Sequence, residues 1–254
     1  MQKVAWVIGA STGIGKAFSQ KLSIEGYTVA LSARTEDALS TFRKELEVSG
    51  AEALCAPCDV TDLTSLQNAK TRILKEFNSI DLMVFAAGIY TPMSLKHYNH
   101  QQSLETLKVN LTGAFNVFET LKEEALSEKR CHLVWISSVA GYRGLPNSGA
   151  YGVSKAALIN FAEIQRVELE RHNTKVQVVN PGFVKTRLTD KNDFPMPSLL
   201  TSEQAANYIY KGLLKKGFEI NFPPLFAFAM KTLRLMPTWL YIYLMQKLLT
   251  ETHK

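Results

Sequence analysis

Tyr151 and Lys155 stand one helical turn apart in YGVSKAALINF. Side chains at that spacing share a helix face. A free phenol titrates at about pH 10, and a neighbouring positive charge lowers that value. Such a pair can give and take back a proton nearer neutral pH, which is general acid–base work. Spacing alone does not establish this, because YLMQK sets Tyr243 the same distance before Lys247. A second chemistry is suggested by Gly9, Gly13 and Gly15 in GASTGIG. Missing side chains permit a tight turn and a close approach of backbone to phosphate, and a helix opening there offers N–H groups and a positive dipole end. Ser11, Thr12 and Ile14 belong to the same candidate phosphate site.

Two further positions bear on the cofactor. In VALSARTED, a carboxylate at the end of the apolar run would bind the ribose 2′-hydroxyl of NAD. Ala33 stands there instead, followed by Arg34, whose guanidinium suits a 2′-phosphate. The expected cofactor is therefore NADP(H). The third apolar run ends at Asp59 and Val60. Asp59 could accept a hydrogen bond from an adenine amino group or cap the next helix in DVTD, and the residue alone favours the cap. Cys55 and Cys58 form a C-x-x-C. A zinc site needs four ligands, and a redox pair opens a helix, whereas this pair ends a strand and has no second pair. Both read as structural, and no metal is expected. Three cysteines in all argue for a reducing compartment.

The elements that must position these residues alternate. Apolar strands are expected over 4–9, 27–33, 52–57, 80–88, 131–138 and 175–182, and helices over 13–25, 36–48, 63–77, 101–127 and 148–172. Near-continuous apolar strands imply burial on both faces, and their alternation with helices implies a parallel, doubly wound α/β sheet. With no repeat or low-complexity linker in 254 residues, a single domain over 1–254 is expected. The opening MQKVAWVIGAS is too short an apolar run for a secretion signal and reads as the first strand. The net charge of +6 is mild and undivided into dense runs. It argues against nucleic acid and suits an anionic cofactor or a membrane surface. No stretch approaches the roughly 20 uncharged apolar residues of a spanning helix, so a cytoplasmic protein is expected, with peripheral membrane contact as the variant.

Jointly, the motifs resemble the short-chain dehydrogenase/reductase family over about residues 1–215. The resemblance rests on GASTGIG, DV at 59–60, AAG at 86–88, Asn110 in KVNLTGAF, ISSVAG at 136–141, YGVSK at 151–155 and NPGFVKT at 180–186. It implies a Rossmann-type, mostly parallel sheet of seven strands in the order 3-2-1-4-5-6-7, with helices on both faces. It implies Ser138, Tyr151, Lys155 and Asn110 as the catalytic set. Tyr151 would be the general acid in reduction, tuned by Lys155, which also holds the nicotinamide ribose. Ser138 would polarise the carbonyl, and Asn110 would help hold a relay water. The resemblance also turns Asp59 into the adenine contact and adds Ala87, Gly88, Pro181, Gly182, Val184 and Thr186 to the cofactor wall. Ala86 stands where the family commonly has asparagine, which bears on local rigidity and not on the chemistry. No serine stands before Tyr243 as Ser138 stands before Tyr151, since Met230 holds that position.

The loop over 185–202, with two prolines, follows a strand's carboxyl end and is expected to be a substrate lid. Residues 218–254 form an apolar, aromatic extension. It could line an apolar pocket, form a subunit interface or lie on a membrane, the first two being favoured. The expected function is an NADP-dependent oxidoreductase that interconverts a ketone or aldehyde with an alcohol, on an apolar, lipid-like or steroid-like substrate. The alternatives are a 3-oxoacyl-carrier-protein reductase and, from another class, a non-catalytic NADP sensor or scaffold. The resemblance implies a homodimer or homotetramer.

Overall fold

The run VAWVI, buried at every residue, forms β1 (Val4–Ile8) in the middle of a sheet. The computed structural model describes residues 2–192 and 194–251. Residues 1 and 252–254 of the expected domain, and Asp193 of the expected lid, lie outside the described residues. The other strands are β2 (Thr28–Ser32), β3 (Ala53–Cys55), β4 (Leu82–Phe85), β5 (Cys131–Ile136), β6 (Thr174–Pro181) and β7 (Glu219–Phe222). Their order is β3-β2-β1-β4-β5-β6-β7, and every pairing is parallel. Alternate strand residues point to opposite faces. In β1, Val4, Trp6 and Ile8 enter one core with Phe85 and Trp135, while Ala5 and Val7 enter a second with Phe18, Phe42 and Phe222. Two cores on two faces explain why the strands carry no polar stripe.

Helices α1 (Gly13–Ile24), α2 (Glu36–Val48) and α3 (Leu63–Phe77) follow the first three strands. The helical segment expected over 101–127 is continuous: α4 (His100–Leu107) runs through a π-helical turn over Lys108–Thr112 into α5 (Gly113–Leu126). Helical periodicity does not register one extra residue in a turn. Tertiary contacts do: Asn116 Nδ2 donates to the Val60 carbonyl at 2.9 Å, and Asn110 inside the turn is fully buried. Long α6 (Gly149–Glu168) carries Tyr151 and Lys155, and α7 (Ser202–Leu213) is closed by a capping box at Thr201 and Gln204.

The apolar C-terminal segment resolves into β7, α8 (Pro224–Leu235) and α9 (Thr238–Glu251). Pro224 opens α8 where its missing N–H has no intrahelical partner to lose. Glu219 on β7 fastens α8: it accepts from Asn180 Nδ2 at 2.8 Å and from the Tyr142 hydroxyl, and pairs with Lys231. Among the described residues no helix is long and apolar enough to cross a membrane. Cys55, Cys58 and Cys131 are free and buried. Cys55 faces one core and Cys58 the other, and burial raises their thiol pKa values, that of Cys58 to about 11.

Candidate active site

A cleft of about 430 Å³ opens at the carboxyl ends of the strands. Its walls include six residues of the glycine loop (Gly9, Ser11, Thr12, Gly13, Ile14 and Gly15), with Arg34, Asp59 and Val60 from the next two strand ends. Ala87, Gly88, Pro181, Gly182, Val184 and Thr186 also line it, together with Ser138, Tyr151 and Lys155. Open α/β sheets place ligands in this position. Gly9 is required by geometry: its φ is +96°, and a Cβ there would stand 2.6 Å from the Ala87 nitrogen. Thr12 at the N-cap of α1 makes no side-chain capping bond, so the N-terminal amides of α1 stay directed at the cleft. The backbone cradle and uncapped helix end fit a dinucleotide pyrophosphate.

Asp59 does not cap α3. Asp62 does, accepting from the amides of Thr64 at 2.9 Å and Ser65 at 3.2 Å. Asp59 instead accepts from the Thr61 amide and hydroxyl at 2.8 and 2.9 Å, which hold its carboxyl below the usual carboxylate range. Its backbone conformation is thereby set with the carboxylate at the cleft wall. Arg34, exposed at the mouth, adds a positive charge beside it.

Around Tyr151 the elements converge closely. Ser138, two residues past β5 in the loop to α6, caps a 3-10 turn over Val139–Gly141, its Oγ accepting from the Ala140 amide at 3.1 Å, and its side chain also bonds the Tyr151 phenol. That loop is pressed onto α6. Ser137 Oγ donates to the Lys155 carbonyl at 2.8 Å, and a Cβ on Gly141 would stand 2.7 Å from the Lys155 carbonyl carbon. Lys155 Nζ donates to the Ile136 carbonyl at 2.9 Å and lies 5.6 Å from the centre of the Tyr151 ring. Burial lowers the Lys155 ammonium to about 8. Burial also pushes the Tyr151 phenol up to about 12, which outweighs the lowering by Ser138. Burial therefore outweighs the expected lowering by Lys155 here: the ammonium is itself desolvated and donates to the Ile136 carbonyl.

Asn110 is the one expected catalytic residue that does not line the cleft among the described residues. Its Oδ1 accepts from the Ile89 amide at 2.8 Å, and its Nδ2 donates to the Ile89 carbonyl at 3.0 Å and to Ser154 Oγ at 3.1 Å. Ser154 in turn donates to the Tyr151 carbonyl at 2.7 Å. The side chain clamps the segment after β4 to α6 behind Gly88. These bonds give Asn110 a positioning role.

The expected lid is tied down. The Lys185 amide donates to the Leu200 carbonyl at 2.8 Å and the Leu200 amide to the Phe183 carbonyl at 3.0 Å, which closes the loop's base. A 3-10 turn over Thr189–Lys191 reaches Tyr90: Lys191 Nζ donates to the Tyr90 carbonyl at 2.8 Å, and the Tyr90 hydroxyl donates to Asn192 Oδ1 at 3.0 Å. The Tyr90 ring meets Tyr151 edge-on, centroids 4.8 Å apart. Sequence reasoning missed Tyr90 and Ser154. The signal for Tyr90 was its place just past a strand's carboxyl end, two residues after AAG. Phe183, Phe194 and Phe226 cluster beside the loop, with centroid distances of 5.9 and 5.4 Å from Phe183. The second Tyr–Lys pair lies on α9, outside the cleft lining, with Tyr243 exposed.

Comparison with known proteins places this geometry. The family model for short chain dehydrogenases matches residues 3–195. An uncharacterized oxidoreductase of Myxococcus xanthus is 31% identical over 239 residues, covering 94% of each chain. A 3-oxoacyl-[acyl-carrier-protein] reductase of Buchnera aphidicola is 29% identical over 218 residues, 82% of this chain and 88% of that protein. Among solved structures, a short chain dehydrogenase/reductase of Burkholderia phymatum in complex with NAD superimposes with a TM-score of 0.84. It is 22% identical and covers 91% of this chain and 92% of that one, so it speaks for the fold.

Proposed function

Because the chain belongs to the short-chain dehydrogenase family of oxidoreductases, we propose that it interconverts a ketone or aldehyde with an alcohol, using NADP(H). The observation that carries this reading is that Ser138, Tyr151 and Lys155 line the same cleft as the glycine loop. A nicotinamide cofactor, when bound, supplies or accepts the hydride. The chain's own residues handle the oxygen and its proton. The Ser138 hydroxyl, already directed at the phenol, orients and polarises the carbonyl oxygen. Tyr151 gives its proton to that oxygen in reduction and takes it from the alcohol in oxidation. Lys155, charged below about pH 8, lies where it can lower the phenol as charge develops and can hold ribose hydroxyls. Asn110, through Ile89 and Ser154, keeps α6 and the strand end in register.

Arg34 at the mouth and Ala33 in place of a carboxylate favour a 2′-phosphate. The aromatic cluster of Phe183, Phe194 and Phe226 favours an apolar substrate. A second reading, reduction of a 3-oxoacyl group on a carrier protein, is favoured by the Buchnera relative and by exposed Arg187 on the cleft rim, where an acidic carrier could dock. We read the exposed outer stripe of α8 and α9 as a self-association surface, with a membrane surface as the variant.

The test is NADPH and NADH oxidation against ketones of rising chain length. A higher kcat/KM with NADPH is expected, and Arg34→Ala should lose that preference selectively. Tyr151→Phe should lose nearly all turnover while still binding NADPH. A preference for NADH overturns the cofactor assignment. Binding of NADPH with no turnover of any carbonyl points to the sensor.

A further inference from the structure

We propose that Tyr90 is a positioning residue, a strut that ties the seating of the 185–202 loop to the orientation of Tyr151. This rests on reading Tyr151 as the acid–base group. Tyr90 is held from three sides. Asn110 grips the residue before it by both backbone groups of Ile89, at 2.8 and 3.0 Å. Lys191 and Asn192 hold it from the loop, one at its carbonyl and one at its hydroxyl. Its ring edge meets Tyr151 at 4.8 Å with the planes inclined by 63°.

The geometry matters because a phenol acts on a carbonyl oxygen only over a narrow range of positions. Ser138 holds the hydroxyl end of Tyr151, and Lys155 lies on one side of its ring. Tyr90 fills another side. When the loop is seated, Asn192 holds the Tyr90 hydroxyl and the ring is pinned against Tyr151. When the loop lifts, the same ring is released at its far end. Loop position and proton-donor orientation are then two readings of one contact chain: Asn192, Tyr90, Tyr151. The backbone of Tyr90 stays fixed throughout, since Asn110 anchors it from the helix side.

The experiment uses the full-length enzyme. Tyr90→Phe keeps the ring and loses the bond to Asn192, Asn192→Ala loses the same bond from the loop, and Tyr90→Leu loses the ring contact as well. Hydrogen exchange at the amides of Asp190 and Asn192, bonded to Thr186 and Thr189, reads loop seating without any turnover. It should quicken in both single variants. Steady-state kinetics with NADPH and a ketone should show KM raised several-fold by Tyr90→Phe and Asn192→Ala, with kcat less affected. The double variant should be no worse than the worse single one. Tyr90→Leu should also lower kcat by roughly tenfold or more and move the alkaline limb of its pH profile. Binding of NADPH, followed by its fluorescence, should be unchanged in Tyr90→Phe. Unchanged loop exchange in Tyr90→Phe and Asn192→Ala, or fully additive effects on KM, would overturn the strut. Retained turnover in Tyr151→Phe would instead remove the premise, so the two failures are distinguishable.

Discussion

At the scale of the residue, Lys155 shows what the site asks of the fold. It is only 5% exposed, and burial brings its pKa to about 8 from the ordinary 10.5. The unfolded chain keeps this proton up to about pH 10.5, and the folded chain keeps it only up to about 8. Between these values the unfolded state binds more protons, so stability rises with pH across that window. Below about pH 8 the full cost of a buried ammonium is present, on the order of 3 kcal/mol by the shift alone. Lys155→Met, similar in length and uncharged, should therefore raise Tm at pH 7 while abolishing turnover. The gain should shrink by pH 9.5, where the native lysine is neutral, and thermal melts at the two pH values check it. Catalytic sites commonly hold such stability–activity conflicts.

At the scale of the element, the segment between Ser138 and Tyr151 is held from outside the nucleotide-binding part of the fold. Tyr241 on α9 donates to the Gly144 carbonyl at 2.7 Å. Arg143 donates to the Met236 carbonyl at 2.8 Å and lies 4.7 Å over the Tyr241 ring. Tyr241→Phe should cost about 1 kcal/mol, a fall in Tm of roughly 2–4 °C for a chain of this size. Its kcat should fall more than its KM rises, because the loop between the two proposed catalytic groups loosens. Calorimetry and kinetics on one preparation measure both.

The same scale shows what the sequence could convey. β1, β2, β5 and β6 were legible from apolar runs, because burial on both faces leaves an unbroken signature. Glu219–Phe222 was not, because β7 is an edge strand of alternating burial inside a longer apolar stretch. The π turn at Lys108–Thr112 was invisible, since it depends on where Asn110 finds partners 21 and 44 residues away. The cleft-lining residues were legible because their motifs are local. Tyr90 was not, because its partners lie in a loop about 100 residues on. At Tyr151, spacing gives the neighbour's charge and omits the burial of both groups, which raises the phenol.

At the scale of the molecule, the outer face of α8 and α9 carries large exposed apolar side chains: Leu225 at 86%, Phe228 at 73%, Leu235 at 85% and Trp239 at 72%. Exposed apolar clusters of this kind mark contact surfaces. Sedimentation velocity should show self-association that Phe228→Glu and Leu235→Glu weaken together. Pelleting of the parent protein with anionic vesicles, lost in the same variants, would assign the face to lipid instead.

The three cysteines give the molecule one more property. Each thiol is sealed within a core, two of them on opposite faces of the same sheet, and burial keeps each in its unreactive protonated form. A disulfide between the neighbouring pair would have to reach across β3. A thiol reagent added to the native protein therefore waits for the sheet itself to open, and its uptake is a clock for that opening. The chain carries its own unfolding reporter on both sides of the sheet, with no label to be introduced.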